Sequence, residues 1–102
     1  MKLYFEDLQK KPIVDVIKDE MAHLGSDLGR TISVSSPPSN IFQQEIIVST
    51  DSNTPSIELR IIIDRCRLTF HQYGNLKVNK IISEYKDDCI EIRFIYWQMG
   101  PK

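Results

Sequence analysis

Hydrophobic and polar positions along the chain fall into two regimes that meet near Gly29. Before it, Ile13, Val16, Ile17, Met21 and Leu24 recur at three- and four-residue spacings, with Val16 and Ile17 adjacent. That spacing gathers them into one stripe of a helix. The pattern predicts a helix over Pro12–Leu24. Proline suits a first helical position, where its missing N–H has no intrahelical partner, and Gly25 is a natural stop, able to turn left-handed. Leu3, Tyr4, Phe5 and Leu8 fit a helical turn and a first strand equally well.

Beyond Gly29 the period drops to two, the signature of half-buried strands. Thr31–Ser35 sets Ile32 and Val34 on one face, and Ile41–Ser49 does the same with Phe42, Ile46 and Val48. Ser56–Asp64 alternates most cleanly, with Ile57, Leu59, Ile61 and Ile63 inward and Glu58, Arg60 and Asp64 outward. Cys66, Leu68 and Phe70 then take over the inward parity, so the phase slips by one residue at Asp64-Arg65. A tight turn or a β-bulge would produce that slip. Gly74-Asn75 has the glycine-first order of a hairpin turn.

The next stretch, LKVNKIISEYK, is ambiguous. Val78, Ile81, Ile82 and Tyr85 fit helical spacing, while the β-branched content and the preceding turn signal favour a strand, which is the expectation adopted. Lys86-Asp87-Asp88 is a turn signal leading into CIEIRFIYWQMG. There Ile90, Ile92 and Phe94 point inward and Glu91 and Arg93 outward, until Ile95, Trp97 and Met99 make the outer parity apolar as well. Something should therefore lie over Ile95 and Trp97. The loops SSPPSN (35–40) and STDSNTPS (49–56) are too short to be domain linkers. The expected fold is α+β: one domain over residues 1–102, with an N-terminal helix packed on a mainly antiparallel sheet, a meander of four to six strands.

Composition narrows the function classes. The net charge of −1 points to neither a nucleic acid nor a strongly basic partner. No secretory leader and no membrane span is visible, so the expected setting is the cytoplasm. Two distant cysteines, Cys66 and Cys89, suit reduced thiols better than a disulfide framework. The four glycines, Gly25, Gly29, Gly74 and Gly100, form no phosphate-binding loop. His23 and His71 fall in different elements, and no metal or other cofactor is expected.

Two pairs of residues are candidates for catalytic chemistry. Glu20 falls on the apolar stripe of the first helix with His23 nearby, where a desolvated carboxyl could serve as a general acid. The plainer reading puts Glu20 at the helix edge with its carboxylate in water. Cys66 and His71 have opposite parity on a strand and stand too far apart to make a thiol–imidazole dyad. The expectation is a protein that is not an enzyme.

The outward face carries the functional expectation. Arg60, Arg67, His71, Tyr73, Arg93, Ile95 and Trp97 would share one sheet face, rich in the arginine and aromatic types that dominate protein interfaces. The same types suit single-stranded nucleic acid, but Glu58, Asp64 and Glu91 oppose the three arginines and argue against phosphate binding. The expected function is a non-catalytic protein-binding module, a small inhibitor or immunity-type protein that neutralises a partner such as a bacterial toxin by steric occlusion. A nucleic-acid-binding domain and a small enzyme using Glu20 and His23 are the alternatives. Exposed sheet edges would also permit a homodimer.

Overall fold

A computed structural model of the chain describes residues 11–38 and 43–99. In chain order these residues form helix α1 (Ile13–Leu28), strands β1 (Ser33–Ser35) and β2 (Gln44–Asp51), helix α2 (Ser56–Tyr73), and strands β3 (Leu76–Tyr85) and β4 (Cys89–Gln98). The expected α+β class and antiparallel sheet are present. The group Leu3, Tyr4, Phe5 and Leu8, and the strand position of Phe42, lie outside the described residues.

The main correction concerns residues 56–73, expected as a strand and found as an eighteen-residue helix. Its inward side is set by Ile62, Cys66, Thr69 and Phe70, spaced three and four apart. Asp51 accepts a hydrogen bond from the Thr54 backbone N–H and another from the Thr54 hydroxyl, closing the turn that launches α2. Pro55 stands immediately before the first turn, in an extended conformation. Gly74-Asn75 is accordingly a helix-to-strand joint, with both residues at positive φ, and not a hairpin. Residues 76–85 are a strand, as expected, and Lys86 closes the hairpin to β4 by donating to the carbonyl of Cys89.

The sheet order is β1-β2-β4-β3, with every neighbouring pair antiparallel. It is therefore not a pure meander. Strands β2 and β3 run in the same direction, joined by α2, and β4 returns to lie between them. The core lies between the helices and one sheet face. Ile17, Met21 and Leu24 from α1 and Ile62, Cys66 and Phe70 from α2 meet Ile46, Val48, Ile90, Ile92, Phe94 and Tyr96 there. Phe70 packs against Phe94 and Tyr96 with ring centroids 5.7 and 5.1 Å away.

Helix α1 also runs one turn past its expected end. Gly29, at φ 70°, is the left-handed residue that ends it. The Arg30 N–H donates to the Gly25 carbonyl and the Gly29 N–H to that of Ser26, the paired closure of a Schellman motif. Gly25 serves by being small instead: a Cβ there would come within 2.6 Å of the Arg30 carbonyl oxygen. Gly25→Ala should lower the unfolding free energy by about 1–2 kcal/mol, despite alanine's better helix propensity. Urea denaturation measures this, and a raised midpoint would mean that Arg30 does not close on Gly25.

Candidate interaction surface

The candidate acid, base and nucleophile groups have structural surroundings. Glu20 is part-exposed, and its Oε1 lies 3.5 Å from the Arg65 guanidinium, linking α1 to α2. His23 is exposed on α1. Cys66 is fully buried with its sulfur 3.8 Å from that of Met21, and burial pushes its thiol up to about 12. Such a thiol is a core residue and a poor nucleophile. Among the described residues, no group of three or more His, Cys, Asp and Glu side chains is placed to hold a metal ion.

The seven expected interface residues do not share a surface. Because 56–73 is a helix, Arg60, Arg67, His71 and Tyr73 belong to the helical layer. Arg60, Arg67 and His71 are exposed on α2, on the same side of it as the exposed Ile57, Ile61 and Leu68. Tyr73 is half-buried, and its hydroxyl donates to the Lys11 carbonyl at 2.6 Å, fastening the end of α2 to the approach to α1. Arg93, Ile95 and Trp97 do stay together. They alternate with Ile92, Phe94 and Tyr96 on β4 and so face away from both helices.

That open face is built by three strands. Strand β4 gives it Glu91, Arg93, Ile95 and Trp97. The register sets Glu45, Ile47 and Ser49 of β2 opposite Ile95, Arg93 and Glu91. On the other side Lys77, Lys80, Ile82 and Glu84 of β3 stand opposite Trp97, Ile95, Arg93 and Glu91. The β3 contribution depends on a bulge between Val78 and Lys80, which takes Asn79 out of the pairing. Without it, Lys77 would lie on one face and Lys80, Ile82 and Glu84 on the other.

The face has two unlike ends. At one end, ion pairs run across the strands from Glu45 to Arg93 (3.4 Å), Arg93 to Glu91 (3.8 Å), Glu91 to Lys86 (3.8 Å) and Lys86 to Glu84 (3.6 Å). The buried Oε1 of Glu91 accepts no hydrogen bond and is held between two cations. At the other end, Lys77 and Lys80 flank Trp97 and Ile95. Trp97 is 49 % exposed, whereas Ile95 is only 8 % exposed although neither described helix lies over it. The expectation that both faces would be covered from Ile95 onward is thus met at Ile95 and not at Trp97 or the half-exposed Met99.

Sequence reasoning missed Glu45, Ile47, Lys77, Lys80 and Ile82 as members of this face. The first two were legible from the inward parity of Ile46 and Val48. The last two were not, because the bulge that sets their side leaves no local mark in the sequence. Compared with known proteins, the chain matches no family model and no curated protein.

Proposed function

We propose that the chain is a non-catalytic protein-binding module, a small inhibitor of the immunity type that neutralises a partner, for instance a bacterial toxin, by covering its working surface. The observation that carries this reading is the sheet face left open by the helices, with a half-exposed tryptophan next to Ile95 on β4, Ile47 and Ile82 further along on either side of Arg93, and charged residues of both signs around them. Tryptophan and arginine are the commonest anchors of protein interfaces, and apolar centres with polar rims are their usual anatomy. Lys77 and Lys80 beside Trp97 suit an acidic or carbonyl-rich patch on the partner. Arg93 is already held by Glu45 and Glu91, so it braces the face and is poorly placed to bind phosphate.

The test is affinity capture from the native cell followed by calorimetry with the purified partner. Trp97→Ala should weaken binding by at least about 2 kcal/mol, a loss of hot-spot size. Arg60→Ala and Arg67→Ala, on the helical layer, should leave binding unchanged. A partner that responds to the α2 substitutions and ignores Trp97→Ala would assign the function to the other side of the molecule.

A further inference from the structure

The two edges of the sheet are unequal. Strand β1 ends it with three residues, and β3 ends it with ten. Among the described residues no strand pairs with the outer edge of β3. A ten-residue edge with free backbone donors and acceptors is a template for another strand.

The side chains of β3 state which strand would fit. The bulge at Asn79 brings Lys77, Lys80, Ile82 and Glu84 to one face, with both lysines in the first half and the glutamate near the end. A strand that is basic at its start and acidic at its end complements an antiparallel copy of itself and repels a parallel one. Counting the bulge as one step, a two-fold axis through Ile81 keeps every residue facing its own side of the sheet. It sets Lys77 opposite Glu84 of the second copy, Lys80 opposite Ile82, Val78 opposite Ser83 and Leu76 opposite Tyr85. Each pair occurs twice. Tyr85, the most exposed large hydrophobic residue of the described chain at 73 %, would then gain an apolar neighbour at each end of the junction.

We propose that two copies of the chain join antiparallel through β3, giving one continuous eight-stranded sheet. Such pairing is isologous and closed, since each copy uses its long edge and leaves only the three-residue edge of β1 outward. The open faces of the two copies would lie side by side, doubling the surface that carries Trp97. The dimer does not depend on what that surface binds.

Sedimentation equilibrium on the full chain, from micromolar to near-millimolar, should show a monomer–dimer equilibrium. Lys77→Glu and Glu84→Lys should each weaken the dimer by roughly tenfold or more, since either substitution turns two attractive cross-strand pairs into repulsive ones. The two substitutions together should restore association to near the starting value. Ile81→Cys, in a Cys89→Ser background, should form an intermolecular disulfide under mild oxidation. Residues directly opposite in an antiparallel pair have Cα atoms roughly 4.5–5.5 Å apart, within disulfide reach. A monomer at every concentration would overturn the proposal. So would a dimer indifferent to both charge reversals, or one in which Ile81→Cys fails to cross-link.

Discussion

Phe70→Ala should lower the unfolding free energy by about 3–5 kcal/mol, while Leu68→Ser changes it by about 0.5 kcal/mol or less. Phe70 is 1 % exposed and lies against both Phe94 and Tyr96 of the central strand. Removing its ring deletes a large apolar area and leaves a cavity that α2 cannot close without moving off the sheet. A domain of this size has only about 5–15 kcal/mol in hand, so much of its stability would go. Leu68 stands two residues away but is 50 % exposed on the other side of the helix. In a strand the two residues would share one face and cost alike when replaced. Urea denaturation of both variants therefore tests the helix itself. Equal large losses would return residues 56–73 to a strand, and a small loss at Phe70 would remove it from the core.

Stability should also fall steeply with pH in an alkaline window set by Cys66. Burial, reinforced by the Glu20 carboxylate and opposed by Arg65, pushes its thiol up to about 12, against an ordinary value of 9.0. Below pH 9.0 the folded and unfolded chains both keep this proton, and the contribution is fully present. Above it the unfolded chain binds fewer protons than the folded one, so each further pH unit costs about 1.4 kcal/mol, on the order of 4 kcal/mol by the folded pKa. Burial raises the Tyr96 hydroxyl in the same sense. Comparison with Cys66→Ala isolates the thiol, because Tyr96 is present in both proteins. The variant should start less stable, for want of the sulfur's packing, and then lose stability more slowly with rising pH. Parallel curves would mean that Cys66 is not desolvated. In the native protein an alkylating reagent should find the half-buried Cys89 well before Cys66.

The legible parts of the fold are those where one face is buried and the other is not. Ile90, Ile92 and Phe94 alternate with Glu91 and Arg93 because β4 has helices on one side only, and the stripe of α1 is read the same way. Residues 56–73 misled because Ile57 and Ile61 are apolar and exposed, at 70 % and 38 %. They completed a false alternation with Leu59 and Ile63. The phase slip at Asp64-Arg65 was the local sign that the period is not two. Taking Leu59, Ile62, Ile63, Cys66, Phe70 and Tyr73 as one set gives a continuous helical stripe, with Pro55 before it and Gly74 after it. The error carried into the site. Arg60, Arg67, His71 and Tyr73 were assigned to a sheet face through a strand that does not form, whereas Arg93, Ile95 and Trp97 rested on β4 and remain together.

The position of β4 bears on how the chain reaches this state. Its neighbours β2 and β3 precede it in the chain; until β4 pairs residues 89–98 with residues 44–51, β2 has only the three-residue β1 beside it and β3 has no native strand partner. Long-range pairing of this kind is slow, since the loop must close before its contacts form. Without β4, β2 and β3 would each present an apolar side and an unfilled edge. Their pairing with one another would be a right-looking but wrong sheet, one strand short at its centre. Against that parallel pairing stands the β3–β4 hairpin, which has only Lys86-Asp87-Asp88 to close. The β3–β4 turn is the shortest closure available to either strand, and a hairpin formed there presents β4 to β2 with its other side already paired.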